Sequence, residues 1–245
     1  MHDLPTTFTA TRISLQRVAV HIIARRRHDL VGRFGLRATP GGLGSPAAGP
    51  EHEVVRTAGR WLVRERTGAE ARTTALDLHA ATLADAAAFA EVDLSAAFDV
   101  GHDTPPVGAV DAPLAVDAHA SVALAAWYAF GVAVLDEVVS ALDPSACPTV
   151  VQVWPEHFDA GCDVAAAPGT RVNLGASPGD GIHRDPYLYL GPWGPERDGD
   201  AGYWNAPFGA ILGHRELRAA ADPVVAGVAF LRQGLEQVRS GAPSS

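Results

Sequence analysis

Residues 33–42 read RFGLRATPGG, and residues 171–180 read RVNLGASPGD. Arg, Leu, Ala, Pro and Gly recur in register, with Thr39 answered by Ser177, at an offset of 138 residues. In each block an extended run stops at Pro-Gly, where proline fixes φ and glycine supplies the turn. The spacing beyond the blocks agrees as well. Pro40 lies 42 residues before the helix-start signal at Thr82, and Pro178 lies 44 residues before the one at Asp222. A chance match of ten residues would not carry that second agreement, so the blocks mark a duplicated order of elements.

Working outward, Thr11 to about Arg27 has Ile13, Val18, Val20, Ile22 and Ile23 among arginines, which predicts an amphipathic helix. The stretch HEVVRTAGRWLVRERTG reads as strand, turn at Ala58-Gly59 and strand, and ARTTALDL adds another strand. Thr82 with Asp85 is a capping box that opens a short helix. Asp117 caps a long helix that Asp143-Pro144 stops near Leu142. TVVQVWPEHFDAGCDVA predicts strand, kink at Pro155 and strand; TRVNLGAS and PYLYLG are further strands. Asp222-Pro223 starts the last helix, which runs to about Val238.

Helices bracketing runs of hairpin-connected strands predict an α+β fold. The expected architecture is a pair of helix–antiparallel strands–helix units, with two β-sheets packed with a long central helix. Its halves are residues 1–100 and 117–245, joined by a Pro- and Asp-rich linker at 101–116 and forming one body.

Composition narrows the chemistry. All 19 basic residues are arginines, which with the abundant Ala, Gly and Pro points to a GC-rich, actinobacterial genome. Without lysine there is no Schiff-base amine for pyridoxal phosphate and no phosphate-loop lysine for a nucleotide. Charge is uneven: 12 arginines against 6 acids over residues 1–72, none against 14 over 73–170, and 7 against 8 over 171–245. A net charge of −9 argues against nucleic acid as a partner. The run Arg25-Arg26-Arg27 reads as a complement to a helix C-terminus rather than a phosphate patch. The N-terminal stretch, with an early acid and no apolar segment, is not expected to be a secretory signal, and the apolar stretch Ala118–Leu135 reads as a central helix rather than a membrane span. The expectation is a cytoplasmic protein with a small-molecule ligand and with Cys147 and Cys162 as thiols.

The two blocks differ where they end. Gly42 of the first corresponds to Asp180 of the second, followed by His183, Arg184 and Asp185. Upstream, WPEHFDAGCD carries Glu156, His157, Asp159 and Asp163. On an extended strand His157 and Asp159, two apart, share a face, as a general base and its orienting carboxylate would. The expected site therefore takes His157, Asp159 and Asp180 as catalytic. Glu156, His183, Tyr187, Tyr189 and the GHDTPP pair His102 and Asp103 would bind substrate. His157, Asp159 and His214 imitate the facial triad of non-haem iron oxygenases, a spacing common by chance; a divalent metal is the cofactor left open, and no metal site is assigned. H-E-x-x-H and the strict dinucleotide fingerprint G-x-G-x-x-G are absent from the sequence.

The blocks GRFGLRATPGG, GHDTPP, WPEHFDAG, VNLGASPGDG, PYLYLGPW and YWNAPFGA together resemble an uncharacterised actinobacterial protein family of unknown function, over most of the chain. The order of elements is distantly similar to another bacterial domain-of-unknown-function family, in which a Phe-Asp pair ends a strand as Phe158-Asp159 do here. The resemblance implies a fold and carries no activity. The residues themselves suggest a small-molecule hydrolase or lyase. The alternatives are a non-catalytic ligand-binding or assembly module and a metal-dependent oxygenase.

Overall fold

The computed structural model describes residues 1–101, 104–195, 197 and 199–241. The fold is α+β, with two five-stranded antiparallel sheets, and the order helix–five strands–helix occurs twice. The first pass is α1 (Phe8–Val18), a π-helical segment (Ala19–Ala24) and α2 (Arg25–Val31), then β1 (Arg37–Thr39), β2 (Gly42–Gly44), β3 (Val54–Ala58), β4 (Trp61–Arg66), β5 (Arg72–Asp77) and α3 (Leu83–Ala90). The second is α4 (Ala118–Ser140), then β6 (Gln152–Trp154), β7 (Asp159–Ala167), β8 (Thr170–Ser177), β9 (Tyr187–Pro192), β10 (Ala210–Gly213), α5 (His214–Ala219) and α6 (Pro223–Gly241). Both sheets are meanders, ordered β1-β2-β3-β4-β5 and β10-β9-β8-β7-β6. The chain divides into an N-terminal unit, Asp3–Ala129 with Gln152–Phe158, and a C-terminal unit built from Phe130–Val151 and Asp159–Ser245 with Met1–His2.

The repeated block is a strand-to-turn device in both places. Thr39 and Ser177 each end a strand, and Gly41 (φ 82°) and Gly179 (φ 98°) both take the left-handed conformation that glycine adopts without strain. Its place in the sheet differs. The first copy is the first of its five strands and turns directly into β2, pairing Thr39 with Gly42; the second is the third of five and leads into a longer loop. The element order is duplicated, and the ten-residue block is not in the same position within it.

In the N-terminal unit one face of α1 and its continuation is core, with Leu15, Val18, Ala19, Ile22 and Ile23 buried. A second face, at Thr11, Ser14, Arg17, His21 and Arg25, is polar, and it is also occupied. Thr11 Oγ1 donates to the Ala115 carbonyl at 3.0 Å and accepts from the Asp117 amide at 3.0 Å. Ser14 Oγ accepts from the Ala115 amide (3.0 Å), and Arg17 donates to the carbonyls of Val107 and Ala109. His21 Nε2 donates to the Pro105 carbonyl at 2.8 Å, and Arg25 to that of Ala96 at 3.0 Å. Residue numbers rise along the helix as they fall along its partner, so the segment lies antiparallel to the helix axis. Its other side is tied to the start of α3 and its approach: the Leu114 amide donates to the Ala81 carbonyl, and the Ala84 amide to that of Val110. From Pro105 to Val116 the stretch expected to be a linker is a strap bound to these elements. An irregular segment packed against protein must find partners for its amides and carbonyls, and these side chains supply them.

The arginine triplet begins α2 rather than closing a helix, and each member has its own partner. Arg25 stacks over Phe98 at 5.1 Å, and Arg27 donates to the Gly35 carbonyl. Arg26 joins Arg64 and Arg66 around Glu53 (2.7–3.0 Å) and Glu91 (2.6–3.2 Å). Glu53 is buried, and three guanidiniums hold its carboxyl below the ordinary range against the opposing effect of burial. Glu91, which terminates α3 in the left-handed conformation, is lowered to about 2, chiefly by its hydrogen bond from Arg64.

In the C-terminal unit the strand register separates two faces. Ala160, Cys162 and Val164 of β7 align with Ala176, Leu174 and Val172 of β8, and Leu188 and Leu190 of β9 continue that apolar face. It is buried beneath α6 and the second half of α4. Gly131 of α4 stands so close to β8 that a Cβ there would lie 2.4 Å from Ala176 Cβ. Helix α4 is long and apolar enough to cross a membrane by length and composition alone; its buried residues include Ala120, Leu124, Trp127, Tyr128, Val134, Leu135 and Val138.

The strap yields a test of the N-terminal unit. Arg17→Met keeps the aliphatic stem and removes the donors to Val107 and Ala109, leaving carbonyls to find water. Chemical denaturation should show a loss of about 1–3 kcal/mol, and limited proteolysis should speed up at residues 104–112. Unchanged stability and cleavage would mean that the strap is held by its other contacts alone.

Candidate functional site

The other face of the second sheet is polar. It carries Asp159, Gly161 and Asp163 of β7, Arg171, Asn173, Gly175 and Ser177 of β8, and Tyr187, Tyr189 and Gly191 of β9. Gly161, Gly175 and Tyr189 are aligned across the three strands. That alignment lets the Tyr189 ring lie down over the sheet. A Cβ at Gly175 would stand 2.4 Å from the ring, and one at Gly161 3.2 Å from the phenol oxygen. Tyr189 thereby reaches across β8 and donates a short hydrogen bond to Asp159 Oδ2, a carboxylate with only 5% of its surface exposed.

A second tyrosine–aspartate pair lies beside it. Tyr187 is buried and donates a short hydrogen bond to Asp180 Oδ2. Asp180 Oδ1 accepts from the amides of Ile182 (2.7 Å) and His183 (2.8 Å), so the same side chain caps the loop after β8. His183 is half-buried, packs edge-on against Tyr187 at 5.4 Å between centroids and hydrogen-bonds the Asp185 carbonyl through Nδ1. Phe208 closes the aromatic group at 6.5 Å from Tyr187 and 6.0 Å from Tyr189. Burial first, and the adjoining carboxylates second, push both phenols above their ordinary range. They remain protonated donors and are poor bases.

Of the expected site residues, Asp159, Asp180, His183, Tyr187 and Tyr189 all lie in the C-terminal unit, with Asp159, Tyr187 and Tyr189 on this face and Asp180 and His183 against Tyr187. His157 corrects the sequence reading. Pro155–Phe158 is a turn, closed by the Phe158 amide donating to the Trp154 carbonyl at 2.7 Å, and not a kinked strand. Phe158 is buried with φ 57°, fixed by its carbonyl accepting from Tyr128 (2.8 Å) and by an edge-on contact with that ring. A left-handed residue between His157 and Asp159 breaks the two-residue alternation; His157 is exposed on the turn and Asp159 is buried.

Glu156, also in the turn, is buried in the N-terminal unit. Its side chain lies about 3.7 Å from the place a Cβ on Gly101 would take, and its carbonyl accepts from Gln16 at 2.7 Å. His214 is the buried first residue of α5. Among the described residues no three His, Cys, Asp or Glu side chains come together as metal ligands, so His157, Asp159 and His214 do not form the facial triad their spacing imitates. His102 and Asp103 lie outside the described residues. Both cysteines are free thiols; burial pushes Cys162 up to about 12, which leaves it a poor nucleophile.

Phe208 and the aligned glycines did not stand out as functional in the sequence. Their role depends on strand register, and the distance along the chain from Gly161 to Tyr189 conceals that they are neighbours. The chain matches no protein-family model, no curated protein and no solved structure.

The raised phenols give this site a pH signature. A folded-state value above the unfolded one stabilises the protein fully below about pH 10, and that stability is lost as pH rises through the folded value. Alkaline denaturation should therefore set in above about pH 10, together with phenolate absorbance. Tyr187→Phe and Tyr189→Phe should each lower stability at pH 7 by about 1.5–3 kcal/mol and make the alkaline decline shallower. Phenolate appearing at the ordinary value in the folded protein would contradict the pairing.

Proposed function

We propose that the protein is a non-catalytic small-molecule-binding protein whose site is the Asp180–Tyr187 end of the polar sheet face, and that its ligand is an organic cation. The observation that carries this reading is the pairing of two carboxylates, Asp159 and Asp180, with aromatic rings on one face. Carboxylates supply charge attraction, and the faces of Tyr187, Tyr189 and Phe208 supply their negative quadrupoles. The net charge of −9 favours the approach of a cation over that of an anion.

Catalysis by a hydrolase or lyase has less support. Its base was to be His157 oriented by Asp159, and that premise rested on an extended strand where the chain makes a turn. The two phenols are held as donors.

Asp180→Asn tests the proposal because Oδ1 can still accept from the Ile182 and His183 amides. Calorimetric titration with a panel of primary and quaternary amines and their neutral isosteres should find amine binding that weakens at least about tenfold, or about 1.4 kcal/mol, in this variant. The melting temperature should fall by no more than it does in Tyr187→Phe, which loses the same hydrogen bond. If the variant unfolds while amine binding per folded molecule is unchanged, or if no amine binds the native protein, Asp180 serves the loop alone.

A further inference from the structure

We propose that the opposite end of the same sheet face is a second, independent binding site: a platform on which the indole of Trp193 stacks against a pyranose sugar ring. Trp193 follows β9 directly, and its amide donates to the Arg171 carbonyl at 3.0 Å, so its backbone continues the sheet pairing. Its side chain is nevertheless 64% exposed, among the most exposed large apolar groups of the protein. Exposure of that kind usually accompanies a mobile side chain. Here the ring is fixed from two directions.

Nε1 donates to Asn173 Oδ1 at 2.8 Å, and the Arg171 guanidinium lies over the ring at 5.8 Å from its centroid. Arg171 is itself anchored by an ion pair with Asp163 and by donation to the Cys147 carbonyl at 3.2 Å. Asp163 is held in turn by Thr149 Oγ1 (2.9 Å). The indole is thus held by a chain of polar contacts, with a cation over the ring and most of its surface exposed.

The chemistry of the rim selects the ligand. Indole nitrogen can only donate, so it takes the carbonyl oxygen of Asn173, an exposed side chain whose Nδ2 donors that bond leaves for a ligand. An apolar aromatic face bordered by amide donors fits a sugar ring: axial C–H groups pack on the indole, and a ring hydroxyl accepts from Asn173. A ring already held in place loses little side-chain freedom on binding, which favours affinity. As mere cover for Arg171, the indole would not need its own nitrogen tied down. Asp180 lies at the far end of β8 from Arg171 and takes no part.

Cellohexaose, chitohexaose and maltohexaose are the probes, titrated against the whole chain by calorimetry and tryptophan fluorescence. At least one should bind and perturb the emission. Trp193→Ala should weaken it at least about tenfold with the melting temperature nearly unchanged, Trp193→Phe should restore part of the affinity, and Asp180→Asn should leave it intact. Failure of all three sugars to bind the native protein at millimolar concentration would overturn the proposal. So would equal binding by Trp193→Ala. Should Trp193→Ala fail to fold, Asn173→Ala, which frees the ring and removes the rim donor, must weaken binding instead, and undiminished affinity there would overturn it too.

Discussion

The polar face of the second sheet depends on one contact, the hydrogen bond from Tyr189 to the buried carboxylate of Asp159. Burying a carboxylate is costly unless donors satisfy it, and a strand's own amides are committed to its neighbours. The donor here comes from two strands away. It can reach only because the residues it passes, Gly175 and Gly161, have no side chains. Two glycines, a tyrosine and an aspartate therefore form one structural statement, spread over three strands. Tyr187 and Asp180 repeat the pairing at the strand end, where the carboxylate also closes the loop. The aromatic wall and the acidic groups are thus products of the same geometry.

The N-terminal unit solves a related problem with a helix. Its strap has no regular structure to satisfy its amides and carbonyls, and the polar face of α1 and its continuation provides partners at nearly every turn. His21 sits in the π-helical segment of that face, and burial lowers its affinity for a proton. π-Helical segments recur where a helix must aim a side chain that regular spacing would misplace. Both units keep an apolar face for the core and a polar face with assigned partners; neither polar face is merely solvated.

Local signals in the sequence carried much of this. The capping box at Thr82 and the caps at Asp117 and Asp222 depend on residues a few positions apart and stand in the structure, and the hairpin turn expected at Ala58-Gly59 falls one residue on, at Gly59-Arg60. The twofold order of helix, strands and helix followed from them. What escaped was whatever depends on partners distant in the chain. A Pro-Gly turn looks alike after a first strand or a third, and the ten-residue match fell on strands that do not correspond. The turn at Pro155–Phe158 relies on Phe158 taking a conformation unusual for a buried aromatic, with Tyr128 holding it, and nothing adjacent announces it. The arginine triplet reads as one feature; three separate partners make it three.

A double-mutant cycle on Tyr189→Phe and Asp159→Asn addresses the central contact most directly, since it isolates the pair from the other losses each change brings. With both single variants and the double variant measured by chemical denaturation at pH 7, the account predicts a coupling of about 1–3 kcal/mol, the double variant being less destabilised than the two single losses together. Additive losses would mean that the tyrosine and the carboxylate stabilise the sheet independently, and the polar face would have to be explained without the contact between them.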